Sequence, residues 1–241
     1  MHRFLPAFAS LLLLVGCSYR SPAPPPPSRG AAVPVEWLRS ETTSRAADTT
    51  YRRKVVEIAM SEWRRWGAQA LHRTGPKQHH TGYGAWVAHY WKIGTGHESR
   101  AAWSGAFVSY VLKEAGAGAS WPATGSHAHY IRWATANRDK RSGHFWARRL
   151  SEYAPRPGDL VCNSLESGID YDRQPDRNYS SHCDIVVDVR EGWIAVVGGN
   201  LSSSVAKRAL MTDGDGRLVN PQPRHFDPAV RNWFAVIETR L

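Results

Sequence analysis

The sequence predicts an α+β domain in which N-terminal helices pack on a C-terminal antiparallel β-sheet. Apolar residues recur at three- and four-residue steps through the first part of the domain, which is the period of a helix with one buried face. After Pro155 the pattern changes to short runs rich in β-branched residues, broken by Gly and Asp. Helices first and strands second indicate α+β rather than alternating α/β architecture.

His2 and Arg3 follow the initial Met1, and an apolar run extends from Phe4 to Val15. That run is shorter than the roughly 20 residues a membrane-spanning helix needs, and it has the form of a secretory h-region. It ends in Leu14-Val15-Gly16-Cys17, which resembles the bacterial lipobox. On that resemblance residues 1–16 are a signal peptide and Cys17 is the lipidated new N-terminus. Ser18, in place of aspartate, implies a lipid anchor on the periplasmic side of the outer membrane. The competing reading is an ordinary signal peptide with a chance cysteine. Residues 17–35 then form a tether. The run Pro24 to Pro27 favours polyproline II at about 3.1 Å per residue, a reach on the order of 50 Å. The tether lacks the large apolar groups a core requires. Residues 36–241 suit one domain.

Asp48-Thr49-Thr50 supplies N-cap residues for a helix over 51–72. Val55, Ile58, Ala59, Trp63 and Trp66 mark its apolar face, and Gly75-Pro76 ends it. Residues 75–85 form a loop, and a short helix follows over 85–93. A third helix runs from Ser104 to Ala115, with Phe107, Val108, Val111, Leu112 and Ala115 in one stripe and Gly116 as its stop. A fourth covers 127–137 around Tyr130, Ile131, Trp133 and Ala134. The strands expected are 159–162, 183–189, 193–197, 204–211 and 233–239. Asp213-Gly-Asp-Gly is a turn without the remaining ligands of a calcium loop.

The formal charge of +10 falls to +9 when Arg3 leaves with the signal peptide. A basic surface suits peptidoglycan or other anionic envelope material, and equally serves solubility. Export argues against nucleic acid. His72, His79, His80, His89 and His97 match no metal-ligand spacing, so a solvated loop is expected, with neither metal nor cofactor. Cys162 and Cys183 would sit in an oxidising compartment, either bridged or as two buried thiols. The segment 164–181 is long and polar, and lies where it could shape a groove.

The chemistry-bearing pattern is a hydroxyl opening one helix and an imidazole opening one strand. Ser104 starts an apolar helix, where backbone N–H groups and the macrodipole favour negative charge. His182 starts the run His182-Cys-Asp-Ile-Val-Val. If Arg190-Glu191-Gly192 forms a three-residue hairpin loop with Gly left-handed, Val189 pairs with Trp193. The same register sets His182 opposite Asn200 and on its face. A two-residue turn would put them on opposite faces. Ser104, His182 and Asn200 would then be nucleophile, base and orienter, with Asp184 as the alternative orienter two residues along. Each also has a bland explanation: Ser104 as an N-cap, His182 satisfied at a strand end, Asn200 in a turn. Trp103, beside Ser104, is a candidate for stacking on a sugar, core packing being its other role.

Ser104-Gly-Ala-Phe-Val-Ser resembles the Cys-x-x-Phe-Val-Ser helix start of papain-like amidases of the NlpC and CHAP type. Pro155-Arg-Pro-Gly-Asp-Leu-Val, His182-Cys-Asp-Ile-Val-Val and Val196-Val-Gly-Gly-Asn200 resemble three further motifs of those enzymes, in the same order. Within that superfamily the chain is similar to an uncharacterised bacterial family, from about Val55 to Thr239. The resemblance implies a papain-like fold and action on cell-wall peptide, as an amidase, endopeptidase or acyl transferase. Two departures stand out: Ser104 replaces the catalytic cysteine, and Asp184 replaces a glycine. A hydroxyl ionises far above neutral pH and needs a base in contact. The alternatives to an enzyme are a binding module that keeps the groove without cutting, and a structural lipoprotein with the groove unused.

Overall fold

A computed structural model describes residue 40 and residues 47–70, 75–224, 229 and 231–241. The signal peptide, Cys17, the tether and His72 lie outside the described residues. Among the described residues the domain is α+β, with four N-terminal helices packed against a six-stranded antiparallel sheet. The helices are α1 (Thr50–Arg65), α2 (Tyr83–Thr95), α3 (Ser104–Glu114) and α4 (His127–Asp139). The strands are β1 (Phe145–Arg149), β2 (Leu160–Ser164), β3 (Ser181–Arg190), β4 (Trp193–Gly198), β5 (Ala206–Met211) and β6 (Asn232–Thr239). Their order across the sheet is β1-β6-β2-β3-β4-β5.

Local chemistry explains most boundaries. Thr49 caps α1 by accepting the Arg52 N–H at 3.2 Å. The helix stops at Arg65, earlier than its periodicity suggests, because Gly67 takes a left-handed φ of 84°. The N–H groups of Gly67 and Ala68 turn back to the Arg64 and Trp63 carbonyls, a Schellman ending that satisfies otherwise orphaned acceptors. Gly116 ends α3 in the same way, its own N–H and that of Ala117 reaching Lys113 and Leu112. Strand β5 starts at Ala206 rather than Ser204, since Ser202 and Ser203 are both left-handed. Strand β1 was not anticipated. It is a short edge strand with only Phe145 and Ala147 buried, and its half-buried positions carry Trp146, Arg148 and Arg149. Arg148 donates to Glu238 of the neighbouring β6.

The main core lies between the helices and the sheet. It gathers Val55, Trp63 and Trp66 of the α1 region, Phe107 and Val111 of α3, Ile131 of α4, and Ile185 and Val197 of the sheet. A smaller cluster around Val186, Val196, Leu210 and Trp233 covers the opposite face. Asp159, in the Pro-Gly-Asp run, joins the two layers. It pairs with buried Arg52 of α1 at 2.7 Å and accepts the Thr239 N–H of β6 at 2.8 Å. Cys162 and Cys183 are direct partners across β2 and β3 and form a disulfide.

The β3–β4 hairpin reaches the expected register by another route. Arg190 pairs with Trp193, so the turn has two residues, with Gly192 left-handed. A bulge between Val186 and Asp188 then shifts the pairing by one. Ile185 pairs with Val197 and Val186 with Val196, as a three-residue loop would also have set them. The turn and the bulge compensate, so the face assignment of His182 and Asp184 is preserved.

Candidate active site

Three sequence features converge at one end of the sheet. Ser104 is the first residue of α3, His127 the first of α4, and His182 the second of β3. The two helix starts meet because Gly105 is bare where it touches the Gly125 backbone, and Gly125 is in turn bare against Trp91. A Cβ on Gly105 would stand 2.0 Å from the Gly125 carbonyl oxygen, and one on Gly125 would stand 2.4 Å from the Trp91 ring. That close approach sets the His127 Nε2 against the Ser104 Oγ at 2.7 Å. The Ser104 hydroxyl is not an N-cap: Trp103 occupies that position and makes no side-chain cap bond. The other ring nitrogen of His127, Nδ1, is hydrogen-bonded to the Tyr130 hydroxyl one turn along α4.

The second imidazole is held differently. His182 Nε2 donates to Asp184 Oδ1 at 2.7 Å. Asp184 Oδ2 accepts the Arg208 Nε at 2.7 Å, and Arg208 also reaches it through Nη2. This row crosses three strands. Val186 pairs with Val196 and Val196 with Arg208, so Arg208 shares the face of Val186 and Asp184. Gly198, on the strand between, leaves room for the carboxylate, since a Cβ there would lie 1.9 Å from Asp184 Oδ1. The Arg208 guanidinium also lies 4.8 Å from the Trp233 ring centre, a cation–π contact. The two imidazoles are tilted against each other with ring centres 5.1 Å apart.

Charge follows from this packing. Burial alone would raise the Asp184 carboxyl, but Arg208 and His182 outweigh it and hold the group well below the usual carboxylate range. Asp184 is therefore an acceptor, and the His182 Nε2 carries the proton it shares with it. Burial drives His127 well below the ordinary imidazole value. His182 adds to that shift, and Asp184 opposes it. Burial and Asp184 raise the Tyr130 phenol well above its ordinary value, so it stays protonated.

Ser104, His127, His182 and Asn200 line one open pocket of about 410 Å³. The segment 164–181 supplies part of its wall through Leu165, Tyr179, Ser180 and Ser181. Leu165 is 57% exposed, an uncovered apolar surface at that wall. Asn200 stands in the pocket with a left-handed φ of 58°, two residues beyond the end of β4, while the orienting contact on His182 comes from Asp184. The amide directly across the sheet from His182 is Asn163 on β2. It is fully buried, and neither of its polar atoms has a partner among the described residues.

Trp103 corrects an expectation. It is 2% exposed, its ring stacks on Trp66 and Tyr90, and its Nε1 donates to Gln78. No face of the indole is left for a sugar, and its role is to anchor the start of α3. Two members of the site were missed in the sequence. His127 opens α4 and was legible only as a helix start, and Arg208 sits in a strand where a charge had no evident purpose. A histidine directly after an N-cap serine was the one available signal.

Fold and site together define an α+β protein with a pocketed serine in contact with one histidine, beside a second histidine backed by a buried Asp–Arg pair. Residues 57–239, about three quarters of the chain, match the family described as "Uncharacterized protein conserved in bacteria (DUF2272)", and the chain belongs to that family. No curated protein and no solved structure matches it.

Proposed function

We propose that this is a lipid-anchored protein of the bacterial cell envelope whose papain-like domain hydrolyses or transfers an acyl group through Ser104. Cell-wall peptide is the substrate class that the motif resemblance implies. The observation that carries the reading is the Ser104 hydroxyl in an open pocket, hydrogen-bonded to an imidazole at 2.7 Å instead of capping its own helix. The hydroxyl attacks an amide or ester carbonyl, an imidazole takes its proton, and His182 is oriented by Asp184. First-turn N–H groups of α3 would hold the oxyanion. Asn200, which lines the same pocket, would touch the substrate.

The second reading, a binding module that keeps the groove, draws on one observation: the nucleophile position holds a hydroxyl in place of a thiol. One experiment separates the two. The purified domain and its Ser104→Ala variant are incubated with peptidoglycan fragments, and the products are identified by mass spectrometry. Cleavage or transfer by the wild type alone supports the enzyme. Equal product from both chains removes Ser104 as nucleophile. Fragments retained unaltered by both chains favour the binding module.

A further inference from the structure

We propose that the proton of Ser104 is taken by His127, the histidine at the start of α4, and not by the strand histidine His182. The inference rests on the reading of Ser104 as nucleophile and adds a catalytic residue to it.

Three features of the geometry favour His127. Its Nε2 is already 2.7 Å from the Ser104 Oγ, the separation a proton transfer needs. Its Nδ1 faces the Tyr130 hydroxyl, which stays protonated and can still accept through its oxygen. In the tautomer with the proton on Nδ1, donated to Tyr130, Nε2 is the free acceptor that Ser104 requires. His182 has its Nε2 committed to Asp184, which leaves Nδ1 as its free nitrogen, but among the described residues the imidazole hydrogen-bonded to the Ser104 Oγ is that of His127. The site therefore contains two separately oriented imidazoles, where a nucleophile–base–orienter set uses one.

The step balances as follows. The Oγ–carbon bond forms as the carbonyl π pair moves onto oxygen, and the Oγ proton passes to His127 Nε2. The bond to the leaving amine or alcohol then breaks, and the leaving group takes that proton. Water, or an acyl acceptor in transfer, repeats the sequence on the acyl-serine and returns the proton to Oγ. The imidazolium formed in between is opposed by the positive end of α4 and favoured by the Asp184 carboxylate behind His182.

The groups facing His127 are Ser104 on α3, Tyr130 on its own helix, and His182 and Asp184 on β3, with Arg208 on β5 behind Asp184. Burial and His182 hold the His127 ring neutral well below the ordinary imidazole range. A rate that depends on neutral His127 thus stays flat as the pH is lowered through about 6.5, where an ordinary imidazole would lose half its base form.

The test uses a fluorophosphonate, which needs no knowledge of the substrate. The Oγ–phosphorus bond forms, the phosphorus–fluorine bond breaks, fluoride leaves, and the proton goes to the base. Labelling is followed by intact mass, with the site mapped by peptide analysis. The wild type is expected to label at Ser104 with a rate that stays flat as the pH is lowered from about 8 through about 6.5. His127→Gln is expected to label at least about 100-fold more slowly, the lower end of what a positioned base contributes. His182→Gln should slow labelling less than His127→Gln does, the reverse order overturning the assignment, and far-ultraviolet circular dichroism confirms that each variant is folded. A wild-type rate that halves near pH 6.5, or a folded His127→Gln variant that labels like the wild type, overturns the assignment while leaving Ser104 as nucleophile. No adduct at Ser104 in the wild type, or an undiminished adduct in Ser104→Ala, overturns the nucleophile reading and this inference with it.

Discussion

Replacing Arg208 by methionine tests the structural claim on which the site depends, that Asp184 is an ion held by a buried partner. Arg208 is 2% exposed and Asp184 fully buried. At the 2.7 Å contact, an effective dielectric of about 20 gives an attraction of about 6 kcal/mol. Desolvation of both ions offsets much of it, so the pair itself adds little net stability. Removing one partner is different, because the other charge remains buried and uncompensated, at a cost of about 3–5 kcal/mol. For a domain of this size that is a fall of roughly 10 °C in melting temperature. The double variant Arg208→Met with Asp184→Asn leaves no charge stranded and should recover a large part of the loss. Urea unfolding of the wild type, both single variants and the double variant forms the cycle. A single-variant loss under about 1 kcal/mol, or strictly additive losses, would refute the buried-pair argument.

Other expectations follow from the same geometry. Gly105→Ala forces a Cβ into the Gly125 carbonyl and should cost about 1–3 kcal/mol; because it parts Ser104 from His127, fluorophosphonate labelling should fall more than stability does, and an unchanged rate would show that the close approach is dispensable. Trp103→Ala should destabilise by about 3–5 kcal/mol in denaturant titration, as a core indole does, whereas a folding-neutral change confined to ligand binding would contradict its burial. The non-reduced domain should show no titratable thiol at Cys162 or Cys183, and loss of the bridge should cost about 3 kcal/mol for a separation of 21 residues. His127, neutral in the fold, makes stability decline as the pH drops below about 6.5, because the unfolded chain takes up a proton that the buried ring refuses. Asp184, whose folded value is depressed, adds stability that is present above about pH 4 and lost in stronger acid. Stability of His127→Gln should be flatter than wild type between pH 7 and about 5, and an unchanged slope would assign that titration elsewhere.

The sequence by itself determined that the helices precede the strands, because caps, left-handed glycines and apolar periods act over a few residues. Thr49, Gly116 and Ser104 mark helix ends that the structure reproduces. The faces of His182 and Asp184 were also legible, since alternation along a strand is local, although a two-residue turn and a bulge produced the register expected of a three-residue loop. Strand β1 was hidden because only two of its five side chains are buried and its identity depends on β6, far along the chain. Only the tertiary structure decided which groups meet. Ser104 and His127 are 23 residues apart, and Asp184 and Arg208 are 24 apart. Nothing in the local pattern of either pair specifies the packing of α3 on Gly125 or the space above Gly198. Trp103 likewise went to the core instead of the pocket because Trp66 and Tyr90, both distant in sequence, had already surrounded it. Helix ends follow from bonds between near neighbours, whereas the identity of the base beside a serine depends on how whole elements approach one another.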